Sequence, residues 1–358
     1  MWIRAAVQIA VVIAVSFGCG GKDLPPSSSD AGDSSADSGI PDAESDTVPI
    51  ACGQGELRCR DACFSAVKQK KHGCELIALG ASAQSFSGLA LGEETLFSVD
   101  EHFHPLAIST SDFAITSLSN TAQLIGSTLQ YAQGWLYGNG ESPSLGIFRI
   151  SADGQTFEQI YPSQYLYHVQ EEDLYLLSDG LADHGGVDLT AVAGGAEMRL
   201  VDGRVNSWVT AGDFYFYLRG FPQYAFYQSP RSSPLDESAL GVNAINGNIF
   251  AWSRDQDHVY ATGGGLWRIA IADGNVEQVS DEIALDFSSP GSKYVMFSRA
   301  QPNKNIGVYA VSYNGKEVLA VDPYDFDNQG MASDDAYFYL ARGGGIFRIA
   351  HTAAKPAN

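Results

Sequence analysis

Apolar residues alternate with polar or small ones in short runs, and the runs return at a nearly constant interval along most of the chain. Seven copies of one phrase begin near Pro105, Gly146, Gly186, Tyr224, Gly265, Gly307 and Gly345, with successive starts 41, 40, 38, 41, 42 and 38 residues apart. A period of two places successive side chains on opposite faces, which predicts strands rather than helices. The copies Ile147-Phe148-Arg149-Ile150, Leu266-Trp267-Arg268-Ile269 and Ile346-Phe347-Arg348-Ile349 are nearly identical. In each, the aromatic residue and the second isoleucine share one face, and the arginine points the other way. Aromatic-rich runs precede the copies at Thr95–Val99, Trp135–Gly138, Asp173–Leu177, Asp213–Leu218, His258–Thr262, Tyr294–Ser298 and Ala336–Ala341. These suit the strand before each phrase.

A further strand follows most copies, at Gln155–Ile160, Glu197–Val201, Asn275–Val279 and Lys316–Val321. Asp153-Gly154, Asp273-Gly274 and Asn314-Gly315, with Gly194-Gly195 at the equivalent place, predict two-residue turns before it. A unit of about 40 residues made of four short strands, repeated without helical patterning, predicts stacked radial sheets. The expected fold is all-β, a seven-bladed β-propeller of four-stranded antiparallel blades over residues 75–350. The last copy lacks a fourth strand, and 351–358 reads as a C-terminal tail. The segment Cys74–Leu79 is expected to supply the missing rim strand and latch the closure, with the cysteine-rich stretch on the rim beside it. The repeated arginines are expected near the rim or paired with acidic neighbours. The pattern of an aromatic strand followed by G-[IV]-[FWY]-[RA]-[IV]-x-x-[DN]-G resembles the broad superfamily of NHL, YWTD and related bacterial propeller repeats. That resemblance implies the fold and names no activity, because these propellers host receptors, lyases, lactonases and scaffolds alike.

The formal charge of −21 argues against nucleic acid and against an anionic membrane surface as direct partners. Ahead of the repeats, residues 1–18 read as an export signal: Arg4 begins it and an apolar run from Ala5 to Phe17 follows. The run ends Val15-Ser16-Phe17-Gly18-Cys19, which resembles the lipobox of bacterial lipoproteins, although Ser16 and Phe17 stand where that family carries Leu and a small residue. The resemblance implies lipidation at Cys19, and Gly20 after it implies the outer membrane. Residues 19–51 read as a disordered acidic tether. From Gly20 to Pro49 there are seven acidic residues, one lysine and no aromatic, too little apolar surface to offset ordering. The remaining cysteines, Cys52, Cys59, Cys63 and Cys74, define a small segment, 52–74, expected to carry two disulfides. Three pairings are open.

Chemistry is expected on the face that carries the second-to-third and fourth-to-first connections, where irregular loops collect. The candidates there are Glu101, His102, His104, Glu141, Asp183, His184, Arg219, Phe221, Arg299, Asn303 and Lys304. His102 and His104, two apart in a segment read as extended, are expected to point to one side. With His184 they offer a metal site or an acid–base pair. Asp322, Asp325 and Asp327 offer oxygen ligands for calcium, although the EF-hand pattern is not met. His168 and His258 read as structural. No nucleophile elbow, phosphate-binding loop, zincin helix or dinucleotide fingerprint is present in the sequence. The expected protein is therefore a non-catalytic, lipid-anchored monomer of the cell envelope. It would bind a protein or glycan and need no cofactor. An envelope lyase or hydrolase using the three histidines, and a scaffold for envelope assembly, are the alternatives.

Overall fold

The computed structural model describes residues 52–53, 56–80, 86–142, 145–162, 166–170, 173–179, 187–193, 196–201, 205–219, 225–240, 251–262, 266–280, 284–287, 293–299, 307–312, 317–323, 328–342 and 344–357. The signal peptide, Cys19 and the tether lie outside the described residues.

The chain is an all-β propeller of four-stranded antiparallel blades. Six blades among the described residues are meanders of consecutive strands. The first runs Ser87–Leu91, Thr95–Val99, Pro105–Ser109 and Ile115–Ser117. The second runs Gln130–Ala132, Trp135–Ser142, Gly146–Ser151 and Phe157–Tyr161, with the short strand Gln123–Leu124 added beside its second strand. The third to sixth blades begin at Leu166, Val205, Ala251 and Ala284. A further sheet is composite. Asn328–Ser333, Tyr337–Arg342 and Gly345–Ala350 come from the end of the chain, and Cys74–Leu79 from its beginning lies antiparallel to Gly345–Ala350.

The alternation read from the sequence is realised in the packing. Phe148 and Ile150 face the first blade, whereas Ile147 faces the third. Trp267 and Ile269 face the fourth blade, and Leu266 faces the sixth. Phe347 and Ile349 face the sixth blade, and Ile346 faces the first. Both faces of each sheet are therefore apolar, and each such side chain taken out of water contributes on the order of 2 kcal/mol before entropy is counted.

The arginine of the repeat has a constant partner on the fourth strand. Arg149 lies opposite Glu158, Arg268 opposite Glu277 and Arg348 opposite Glu75, and each pair is joined by an ion pair. Next to this rung the third and fourth strands slip register, by the same bulge in the second, third, fifth and sixth blades and in the composite sheet. A bulge bends and twists a strand toward the rim without breaking the ladder. The Asp-Gly turns are longer than two residues. Ser151 N–H bonds the Thr156 carbonyl and Ala270 N–H bonds the Asn275 carbonyl, so four residues lie inside each loop. Gly154 and Gly274 still supply the positive φ, at 74° and 70°. The longer loop is set by the aspartate, because Asp153 accepts from Gln155 N–H and Asp273 from Asn275 N–H, each at 3.0 Å. Asn314-Gly315 and Gly194-Gly195 lie outside the described residues.

The cysteine-rich segment is bridged Cys52–Cys63 and Cys59–Cys74. Its hairpin, Leu57–Cys59 with Ala62–Phe64, is not merely beside the rim. Cys59, Ala62 and Phe64 are buried in one apolar cluster with Met296, Val308 and Leu319 of the sixth blade and Phe338, Leu340 and Phe347 of the composite sheet. The tail after Ala350 is also structured. A 3-10 turn, His351–Ala353, leads to Lys355–Pro356, which pairs with Val318–Asp322 on the rim of the sixth blade.

Asp322 joins these pieces. Its carboxylate, wholly buried, accepts from the Arg60 backbone N–H at 2.5 Å and from the Arg342 guanidinium at 2.9 Å. The Arg60 side chain donates to the Ala353 carbonyl at 2.7 Å, and Arg342 also reaches the Arg58 carbonyl at 3.2 Å. Asp322→Ala leaves a buried guanidinium without its carboxylate and is expected to cost about 3–5 kcal/mol, measured by urea unfolding; a loss below about 1 kcal/mol would contradict this. Cys59→Ser with Cys74→Ser opens a loop with a sequence separation of 15 and is expected to cost about 3 kcal/mol, with the melting transition of the oxidised parent as reference.

Candidate functional site

The connection between the second and third strands of the first blade is a closed turn, not the extended segment expected. Asp100 N–H bonds the His104 carbonyl and Phe103 N–H bonds the Asp100 carbonyl, at 3.0 and 2.9 Å. The cause is the Asp100 side chain. Its Oδ1 accepts from the N–H groups of both His102 and His104, at 2.8 Å each, which folds the backbone around one carboxylate. Phe103 is driven to φ 65° and stands 50% exposed. A bulky residue in the left-handed region is strained by roughly 1 kcal/mol or more. Despite the turn, the two imidazoles come together edge to face with ring centroids 5.9 Å apart. His104 Nδ1 lies 3.3 Å from Asp100 Oδ2. The turn is braced against the second blade through Leu124 N–H, which bonds the Phe103 carbonyl at 2.8 Å.

The other nominated residues scatter. Glu101 is exposed on the same turn. Glu141 is not in a loop, because the strand Trp135–Ser142 continues through it. Arg219 ends the strand Phe214–Arg219, where it pairs with Glu237 at 2.8 Å and lies over the Tyr217 and Tyr227 rings. Tyr217 also donates to Glu237, at 2.6 Å, and burial with this carboxylate pushes its hydroxyl pKa far up. That network ties the second and third strands of the fourth blade to the connection before Ser238–Ala239. Arg299 ends the strand Tyr294–Arg299 opposite Gly307. His258 opens its strand beside Asp255, which accepts from the His258 N–H and from the Tyr260 hydroxyl. His168 lies in the strand Leu166–Gln170. Asp183, His184, Phe221, Asn303, Lys304, Asp325 and Asp327 lie outside the described residues. The enzyme alternative depends on His184 and the calcium alternative on Asp325 and Asp327. Asp322 does not fit a calcium loop, because its carboxylate is buried and engaged by Arg60 and Arg342. Among the described residues no three His, Cys, Asp or Glu side chains converge as a metal cluster.

Two clefts lie on the opposite face, between blade turns, and neither was signalled by a motif. One, of about 580 Å³, lies between the composite sheet and the first blade and is lined by Glu93, Glu94, Thr110, Asp335, Tyr337 and Arg348. Arg348 is held between the Phe113 and Tyr337 rings at 4.6 and 4.5 Å and is already paired with Glu75. The other, of about 600 Å³, lies between the sixth blade and the composite sheet and includes Lys293, Tyr294, Glu317 and His351. The His351 ring packs on Phe338 and Tyr294 at 4.2 and 4.9 Å. Across the first cleft Arg348 donates to the Thr110 carbonyl from 238 residues away in sequence, a meeting that no local pattern announces.

The sequence matches no protein-family model and none of the curated proteins. Solved structures with similar folds include PorZ, a bacterial surface component of the type-IX secretion system of Porphyromonas gingivalis. It is 12% identical with a TM-score of 0.55 over 79% of this chain and 39% of that one. The extracellular domain of a putative one-component system from B. thetaiotaomicron is 11% identical, with a TM-score of 0.53 over 77% of this chain and 40% of that one. This chain thus spans about two-fifths of the length of either. The WD40 propeller domain of Doa1 is 12% identical, with a TM-score of 0.52 over 77% of this chain and 96% of that one. At these identities the likeness shows the β-propeller fold alone.

Burial between Tyr294 and Phe338 holds the His351 imidazole below its ordinary pKa of 6.5, with nearby Lys293 acting in the same direction and Asp334 and Asp335 against it. The folded chain therefore binds this proton less tightly than the unfolded chain. The His351 contribution is complete above about pH 6.5 and is lost as pH falls below it. His351→Phe is expected to flatten the fall in melting temperature between about pH 6.5 and pH 5 relative to the parent; parallel curves would contradict the assignment.

Proposed function

We propose that this chain is a lipid-anchored protein of the cell envelope whose seven-bladed propeller binds a protein or glycan through the face that bears the Asp100–His104 turn. Counting the composite sheet as the seventh blade is supported by its chemistry. Arg348 and Glu75 repeat the rung of Arg149–Glu158 and Arg268–Glu277, so Cys74–Leu79 stands where a fourth strand belongs. The sheet also packs on the sixth blade on one side and on the first blade on the other. An oxidising compartment is supported by the two disulfides. Anchoring rests on Cys19 and the apolar run before it. Two of the similar folds belong to a bacterial surface component and to an extracellular domain, which fits an envelope location without naming a ligand.

The observation that carries the binding reading is Phe103. A half-exposed aromatic held at φ 65° costs stability, and the fold keeps it there by engaging Asp100 with two backbone N–H groups. Rigid exposed aromatics that lose little side-chain freedom are the usual anchors of interfaces. Phe103→Ser is expected to reduce capture of a protein or glycan from native envelopes by about tenfold or more, with little change in folding. Equal recovery by parent and variant would remove Phe103 from the binding face. Cys19→Ser is expected to move the protein from the membrane fraction to the soluble fraction, and continued membrane retention would refute the lipid anchor.

A further inference from the structure

We infer that the Asp100–His104 turn is a chelating site for a late divalent transition metal, Cu²⁺ or Zn²⁺, with His102 and His104 as the protein ligands and Asp100 as the residue that orients them. The inference does not depend on what the propeller binds. It starts from the spacing of the rings. Two imidazoles bound through nitrogen at about 2.0–2.1 Å to one tetrahedral ion have ring centroids about 5 Å apart. The centroids of His102 and His104 are 5.9 Å apart, close to that spacing, and the His102 side chain is exposed. The backbone needs no rearrangement, because Asp100 Oδ1 already fixes the N–H groups of both residues.

The tautomer is set as well. Asp100 Oδ2 lies 3.3 Å from His104 Nδ1, and a carboxylate can only accept. The His104 proton is therefore placed on Nδ1, and Nε2 is left as a lone-pair donor. A carboxylate behind a histidine ligand raises its basicity and fixes its plane, an arrangement usual behind metal-bound imidazoles. Imidazole donors suit copper and zinc rather than calcium or magnesium, and the stability order places Cu²⁺ above Zn²⁺. Among the described residues no third His, Cys, Asp or Glu joins the pair, so the protein supplies two ligands here.

The test uses the full oxidised chain carrying Cys19→Ser, in which the four remaining cysteines are paired and do not compete for metal. Zn²⁺ titration by calorimetry and Cu²⁺ titration by electron paramagnetic resonance are expected to show one saturable site with nitrogen ligation. His102→Ala and His104→Ala are each expected to weaken it by about tenfold or more. Asp100→Asn is the discriminating variant. The amide oxygen still accepts the two backbone N–H groups, but the amide nitrogen in place of Oδ2 favours the other His104 tautomer. Metal affinity is expected to fall by about 10–100-fold while the metal-free melting temperature stays close to the parent's. His72→Ala removes the other exposed histidine–carboxylate pair, with Asp61 at 2.7 Å, and is expected to leave the site intact. Binding weaker than about 100 μM in the parent, binding that survives His102→Ala with His104→Ala, binding unchanged in Asp100→Asn, or binding lost in His72→Ala would each overturn the proposal.

Discussion

Asp322 is wholly buried, and the two ends of the propeller chain meet on it. One oxygen takes the backbone N–H of Arg60 from the disulfide hairpin and the guanidinium of Arg342 from the composite sheet. A buried carboxylate is tolerable only when donors surround it, so the hairpin, the sixth blade and the composite sheet must be in place together. Arg60 then passes the connection on to the tail through the Ala353 carbonyl. The hairpin adds Cys59 and Phe64 to the same core, and the Cys59–Cys74 bridge ties that core covalently to the strand Cys74–Leu79 of the composite sheet. A sheet array assembled from both chain ends has its weakest join where the ends meet, and here polar, apolar and covalent links all act at that join.

Away from this junction the blades hold themselves by repetition. The three third strands that carry the arginine bury an aromatic and an isoleucine toward the preceding blade and one branched residue toward the next. The arginine between them closes a rung to a glutamate on the fourth strand, and the bulge beside the rung recurs at the same place. Close backbone approach completes the inner wall. Gly88, at φ 68°, lies so near Gly126 that a Cβ there would stand 1.8 Å from the Gly126 carbonyl oxygen. A scaffold this constrained can hold a strained turn such as Asp100–His104 without yielding to it.

Much of the fold was legible because strand alternation and a fixed period are properties of local sequence. The strands around Phe148, Trp267 and Phe347 form where their pattern places them, and the even, clustered cysteines do pair. The site was less legible. His102 and His104 read as extended because spacing alone cannot see that Asp100 Oδ1 would collect two N–H groups and fold the turn. Asp322 read as a calcium ligand because nothing local announces Arg342 or Arg60, which reach it from 20 and 262 residues away. Arg219 read as a ligand-face cation for the same reason, since its partner Glu237 comes from the connection just before the strand Ser238–Ala239.

Element type, repeat length and the faces of the strands were set locally, because each depends on neighbours a few residues apart. Only the tertiary structure decided which cysteines pair, that the hairpin enters the core rather than resting on it, that the tail ends as a rim strand, and which charges are bound rather than offered. Those outcomes depend on groups brought together over most of the chain length, where burial removes water and leaves each polar atom to find its partner in the protein.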